Sequence, residues 1–166
     1  LHDMGVDLGR LINNKKIKTG VGLEACRSCG VRKMTFDSAS EIDKIKKQCP
    51  DATVLHRLPI DNSSAHVDLN KKFGAARENA LALMQQAKEA GLDMAGIAFH
   101  VGSQTVSADP YLHALDIARE LFEEAEAAGL KLRILDVGGG FSSPRPFASA
   151  LIASTARVLS ARASKD

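Results

Sequence analysis

The sequence predicts an α/β domain built on a parallel sheet. Short runs rich in β-branched and apolar residues alternate with longer stretches of helical spacing, and glycine ends several of those stretches. This alternation is typical of βαβ units, whose strands are parallel and whose crossovers are right-handed. Five strands are predicted in 166 residues, whereas a closed (β/α)8 barrel needs eight units and about 250 residues. The pattern therefore allows either an open sheet or part of a barrel.

The first half of the chain supplies three strands and two helices. Apolar and β-branched residues predict strands at 10–13, 33–36 and 53–58. A weak helix is expected at 21–29, because glycines at its start have poor helix propensity. In the next helix Ser38 is followed three residues later by Glu41, the spacing of a capping box, and Cys49-Pro50 ends it. A polar loop at 61–74 follows the third strand.

The second half repeats the alternation. A helix at 77–90 is stopped by Gly91, and a buried strand is expected at 94–101. Asp109 as N-cap and Pro110 at the first helical position begin the longest helix, at 111–128, which Gly129 stops. A fifth strand at 132–137 follows, and apolar residues at helical spacing predict a last helix beyond residue 147.

The composition excludes several classes of function. Hydrophobic residues make up 45% and charged residues 25%, as in soluble globular proteins, and no apolar run approaches the roughly 20 residues of a membrane helix. The net charge of +2 and the aromatic content of 4% without tryptophan argue against a nucleic-acid partner. Three cysteines without a signal pattern indicate a reducing compartment. We therefore expect a cytoplasmic protein with no nucleic-acid and no membrane partner.

Candidate site residues lie where the predicted strands end, since ligands bind at the carboxyl ends of parallel strands. Gly138, Gly139 and Gly140 follow the fifth strand, and their backbone N–H groups could hold a phosphate. A tight turn that needs positive φ would explain the same three glycines. This segment alone leaves both readings open.

Two further strand ends carry polar side chains. His100 ends the fourth strand and could stack on a flat ring or transfer protons, although a structural histidine is the more common case. Ser103 lies just beyond it and could bind phosphate or cap a turn, and Arg57 ends the third strand. Cys26 and Cys29 form a C-x-x-C pair, but the sequence offers no second ligand pair. No metal site is predicted.

These strand ends resemble, in order, the fold-type III pyridoxal-phosphate decarboxylases, and within them the ornithine/lysine decarboxylase branch. The matching segments occur in family order across residues 1 to about 145. Each is weak on its own, but the ordered set is highly specific. They are the M-T-F-D segment at 34–37, K-F-G-A at 72–75, H-V-G-S at 100–103, L-D-V-G-G-G-F at 135–141, and a strand at 10–16 similar to one that ends in N-P-x-K.

The resemblance implies a pyridoxal-phosphate (β/α)8 barrel, of which residues 1–166 are a part. His100 would stack on the pyridine ring of the cofactor, and Ser103 would hold its phosphate together with the amides of Gly138, Gly139 and Gly140. Arg57 would lie near the ring nitrogen. The loop that contains Lys72 would contact the partner subunit of a homodimer. The implied reaction is the decarboxylation of a small-molecule amino acid, ornithine or lysine, in polyamine biosynthesis.

The chain also departs from the family pattern. No segment matches the motif of the Schiff-base lysine, the catalytic cysteine or the C-terminal β-domain, so no catalytic residue is assigned. We therefore expect the isolated chain to be inactive. The alternatives are a non-catalytic relative that captures a regulator and, with less support, an unrelated open-sheet phosphate-binding module.

Overall fold

The computed structural model describes residues 5–15, 17–60, 77–102 and 107–140, and in these ranges strands and helices alternate. A 3-10 turn at Leu8–Arg10 precedes the first strand. The strands are β1 (Ile12–Asn13), β2 (Lys33–Phe36), β3 (Thr53–Arg57), β4 (Asp93–Ala98) and β5 (Ile134–Asp136). The helices are α1 (Gly20–Cys29), α2 (Ala39–Gln48), α3 (Arg77–Glu89) and α4 (Asp109–Ala127).

The five strands form one parallel sheet in the order β1-β2-β3-β4-β5. This confirms the predicted fold class. A contact between the two edge strands shows that the sheet is curled. The side chain of Asn14, just after β1, donates a 2.8 Å hydrogen bond to Asp136 at the end of β5. The curl makes the sheet part of a barrel rather than a flat open sheet.

The two faces of the sheet have different surroundings. Phe36, His56 and Ile97 are in register on neighbouring strands and are all buried. Phe36 and Ile97 belong to the apolar core that the sheet forms with the helices. One residue further along, Arg57, Ala98 and Asp136 are in register, and since strand side chains alternate they face the inside of the curl. Polar groups are thereby brought together at the carboxyl edge, by which we mean the ends of the strands and the loops that follow them.

Helix α1 is better formed than its sequence predicts. The Thr19 side chain accepts a 3.1 Å hydrogen bond from the amide of Gly22, which satisfies one of the free donors of the first turn. At the other end Gly30 has the left-handed φ of 83° and its amide bonds back to the helix. These two caps compensate for the glycines in the first turn.

The predicted capping box at the start of α2 is wrong. Ser38 is the N-cap but its side chain makes no capping hydrogen bond. Glu41 is buried and instead pairs with Lys18 and Lys44. Two lysines therefore engage the Glu41 carboxylate, which a capping box would direct to the backbone amide of Ser38.

The start of α4 also differs by one residue from the prediction. Ala108 is the N-cap, Asp109 is the first helical residue and Pro110 lies in the first turn. The Ser107 hydroxyl accepts a 3.2 Å hydrogen bond from the Asp109 amide, a role that the sequence had suggested for Asp109 itself. The predicted loop at 61–74 and the predicted helix beyond residue 147 lie outside the described residues.

Two general features concern the described residues only. None of their helices is both long and apolar enough to cross a membrane. Their His, Cys, Asp and Glu side chains form no group that could hold a metal ion, and Cys26, Cys29 and Cys49 are free thiols.

Candidate functional site

The loop after β5, residues 138–140 and here called the glycine loop, packs tightly against the chain that follows β4. Gly138 has a φ of 69° and Gly140 a φ of 94°. A Cβ at Gly138 would lie 2.3 Å from the carbonyl oxygen of Phe99, and one at Gly140 would lie 1.7 Å from that of Gly102. The backbone conformation and packing thus require glycine at both positions.

Gly139 differs from its two neighbours. It is not among the residues with positive φ, and among the described residues a Cβ there would meet only Nε2 of His100, at an ordinary contact distance of 3.6 Å. Its carbonyl oxygen accepts a 2.8 Å hydrogen bond from the Tyr111 hydroxyl, which fixes the loop to α4. The fold therefore does not demand a glycine here, and the missing side chain leaves the backbone open to close approach by a ligand.

His100 presents a neutral imidazole ring beside the glycine loop. Its Nδ1 accepts a 2.9 Å hydrogen bond from the amide of Gly102, so the proton of the neutral ring lies on Nε2. Partial burial, and then the positive charge of Arg57, lower the pKa of His100, while Asp136 opposes that shift. The ring offers a flat, uncharged face at neutral pH.

Arg57, Asn14 and Asp136 form a hydrogen-bonded chain across the inside of the curl. Nη1 of Arg57 donates to the Asn14 carbonyl oxygen at 3.0 Å, and the Asn14 amide donates to Asp136 Oδ2 at 2.8 Å. The second carboxylate oxygen of Asp136 accepts from the amide of Gly138 at 2.9 Å. Asp136 therefore links the Asn14 side chain to the glycine loop.

A small cavity lies at the centre of this arrangement. Its volume is about 40 Å³, room for about one water molecule, and it is lined by Asn14, Arg57, Ala98, Phe99, His100 and Gly138. The structure thus brings together Arg57, His100 and the glycine loop. Ser103 and Lys72 lie outside the described residues. Sequence reasoning assigned no role to Asn14 or Asp136, although both lie in strand-end segments that it singled out.

Comparison with known proteins gives consistent matches. The profile of the family described as "pyridoxal-dependent decarboxylase, pyridoxal binding domain" matches residues 1–161. A lysine/ornithine decarboxylase from Selenomonas ruminantium is 50% identical over 144 residues, which cover 87% of this chain and 37% of that protein. Antizyme inhibitor 2 from Xenopus laevis is 35% identical over 141 residues, 85% of this chain and 31% of that protein.

The fold is shared with solved structures. The crystal structure of lysine decarboxylase from Selenomonas ruminantium matches with a TM-score of 0.86 and 44% sequence identity, over 95% of this chain and 44% of that one. The chain therefore spans less than half the length of each of these relatives.

Proposed function

Since the chain belongs to the pyridoxal-dependent decarboxylases, we propose that its glycine loop and His100 bind pyridoxal phosphate. We further propose that the protein carrying this chain decarboxylates ornithine or lysine. The observation that carries the cofactor proposal is Gly139, a glycine that the backbone does not require and whose missing Cβ leaves space beside a flat neutral ring. The family match removes the third alternative, an unrelated open-sheet module.

The residues at the carboxyl edge fit such a cofactor. The backbone amides of Gly139 and Gly140 would hold the phosphate, together with Ser103 as the family resemblance implies. The Gly138 amide, which the resemblance also assigned to the phosphate, donates instead to Asp136. His100 would lie against the pyridine ring, and its depressed pKa keeps the imidazole uncharged there at neutral pH.

Arg57 would supply positive charge at the rim of the cavity. Its guanidinium is held by the Asn14 carbonyl oxygen, and Asp136 is engaged by the Asn14 side chain and the Gly138 amide. When bound, pyridoxal phosphate would supply an electron sink for the electron pair that remains when the substrate loses carbon dioxide. The contribution of these residues is to orient the ring and to fix the charges around it.

The substrate class is proposed from the relatives, and the assembly from the family resemblance alone. The Selenomonas ruminantium protein is named a lysine/ornithine decarboxylase, which supports a basic amino acid as substrate and a role in polyamine biosynthesis. We also propose a cytoplasmic homodimer in which the loop containing Lys72 contributes to the subunit interface.

A second candidate function is a non-catalytic regulatory protein. Antizyme inhibitor 2, one of the relatives, carries a name that refers to inhibition rather than to decarboxylation. The two functions differ in a measurable way, because only the enzyme releases carbon dioxide from ornithine or lysine.

The cofactor proposal is tested by titrating the protein that carries this chain with pyridoxal phosphate and following cofactor absorbance. Gly139→Val should weaken binding about a hundredfold, as expected when a branched side chain fills space that a ligand needs. Gly20→Val places the same side chain on an exposed glycine of α1, where the described neighbour is the flexible end of Gln48, and should bind like the unmodified protein.

Two results would count against the proposal. Unchanged cofactor affinity in a folded Gly139→Val variant would remove the phosphate role of the glycine loop. Similarly, His100→Ala should lose part of its cofactor affinity, and full retention would leave His100 with a structural role only. Cofactor binding without carbon dioxide release from either amino acid would favour the regulatory function.

A further inference from the structure

A buried lysine lies at the carboxyl edge, next to the residues described above but outside the cavity. The Lys18 side chain is only 1% exposed. Its Nζ donates to the Lys15 carbonyl oxygen at 2.8 Å and to the Thr35 carbonyl oxygen in β2. Lys18 therefore joins the β1–α1 loop, residues 14–19, to the neighbouring strand; of this loop all residues but 16 are described.

Charged groups from α2 surround this amine. Glu41 Oε2 lies 3.9 Å from Nζ and also accepts from the Lys18 amide at 3.4 Å. Lys44 pairs with the other oxygen of Glu41 and donates to the Lys18 carbonyl oxygen at 3.1 Å. Burial lowers the pKa of Lys18 to about 8, against the opposing effects of Glu41 and Asp37, so the amine is mostly charged at neutral pH.

The same short loop carries Asn14, which connects the two charged residues of the site. Asn14 accepts from Arg57 through its backbone carbonyl, so that contact depends on where the loop backbone lies. The hydrogen bond from the Asn14 side chain to Asp136 likewise depends on the position of the Asn14 backbone. Among the described groups, the Lys18 amine is the one that bridges this loop and β2, because it donates to a carbonyl oxygen of each.

We propose that Lys18 is a positioning residue: by fixing the β1–α1 loop to β2, it holds Asn14 in contact with Arg57 and Asp136 and so sets the charges around the cofactor site. The inference rests on the proposed function, since Lys18 can affect cofactor binding only if pyridoxal phosphate binds at this site. Lys18 touches neither the cavity nor the glycine loop and acts through Asn14.

Stability alone is a poor reason for this arrangement. Burying an ion pair removes both charges from water, and an apolar side chain of similar volume is often as stable or more so. Unlike an apolar side chain, the amine donates directional hydrogen bonds to two particular carbonyl oxygens. A lysine at this position is therefore best explained by the location that it imposes on the loop.

The test compares Lys18→Met with Thr19→Ala in the protein that carries this chain. Lys18→Met removes the amine at similar length, and the double variant Lys18→Met/Glu41→Gln avoids leaving a buried carboxylate with one partner fewer. Thr19→Ala removes the helix cap in the adjacent residue and serves as the control for local destabilisation.

Two measurements are made on each variant. The first is hydrogen exchange of the backbone amides in the β1–α1 loop and after β5, without cofactor. The second is the affinity for pyridoxal phosphate. We expect exchange at Asn14, Lys15 and Gly138 to accelerate about tenfold in the Lys18 variants, which lose both hydrogen bonds of the amine, and affinity to fall by a similar factor. Thr19→Ala should affect α1 and change affinity less than twofold.

The outcomes separate this inference from the proposed function. If the unmodified protein does not bind pyridoxal phosphate, the proposed function fails, and hydrogen exchange alone still decides the role of Lys18. If the Lys18 variants match Thr19→Ala in exchange at Asn14 and Gly138, the positioning role is overturned whatever the cofactor does. A single variant that fails to fold is replaced by the double variant, to which the same criteria apply.

Discussion

Two buried basic residues, Lys18 and His56, lie in regions of the molecule that differ in the hydrogen-bond partners they offer. Lys18 is at the carboxyl edge, where carbonyl oxygens and a carboxylate surround its amine. His56 is in β3 between the sheet and the helices, and neither of its ring nitrogens has a hydrogen-bond partner in the part of the chain that the structure describes. Its nearest described aromatic neighbour is Phe36, with ring centroids 5.4 Å apart.

The difference shows in the charge that each residue carries. Lys18 keeps a pKa of about 8 and is mostly charged at neutral pH. Burial lowers the pKa of His56 to about 4, against a smaller opposing effect of Asp37, so His56 is neutral. The buried amine at the edge of the sheet is therefore charged and paired, while the buried imidazole between the sheet and the helices is neutral. Substitutions should have different signatures in the two regions.

The largest expected effect concerns the edge and compares two neighbouring glycines. Gly140→Ala forces a Cβ into the Gly102 carbonyl at a left-handed φ, and we expect it to lower the free energy of unfolding by about 4 kcal/mol. Gly139→Ala has room for its Cβ and should cost less than about 1 kcal/mol. Urea unfolding followed by circular dichroism measures both. Equal losses at the two positions would mean that Gly139 is also required by the backbone.

A smaller effect, specific to the helix-facing layer, is acid destabilisation through His56. The unfolded chain binds a proton near pH 6.5, while the folded chain does not do so until about pH 4. The free energy of unfolding should therefore fall by about 3 kcal/mol as the pH drops from 6.5 to 4. Above pH 6.5 His56 is neutral in both states and this loss is absent. Unfolding free energies measured across this range provide the test.

The variant His56→Leu removes this titration and should flatten the pH dependence between 6.5 and 4. His113→Leu, on the exposed surface of α4, is the matched control and should keep the slope of the unmodified protein. A slope that survives in His56→Leu would assign the acid sensitivity to other groups.

The smallest effect distinguishes two helix starts at the carboxyl edge. Thr19 caps α1 through its side chain, so Thr19→Ala should cost about 1 kcal/mol. Ser38 makes no such bond at the start of α2, so Ser38→Ala should cost only a few tenths of a kcal/mol. Thermal unfolding of the two variants side by side measures the difference. A larger loss in Ser38→Ala would restore the predicted capping box.

The fold class and much of the site could be predicted from the sequence because their signals are local. Strand and helix spacing gave five parallel strands, and strand-end motifs located His100 and the glycine loop. The roles of Asn14 and Asp136 could not be predicted, because they depend on a contact between residues 122 positions apart. The capping box failed for the same reason, since Glu41 has a partner, Lys18, on a different element.

The bond between Asn14 and Asp136 also has a consequence for the order in which the molecule acquires its binding properties. It joins the ends of the first and last described strands, so it can form only after every intervening strand has found its neighbour. Contacts of such long sequence separation form late in folding, because the chain must first lose the entropy of closing the loop. A ligand that needs this bond will therefore bind only after these five strands have paired, which makes binding a report on the pairing of the described strands.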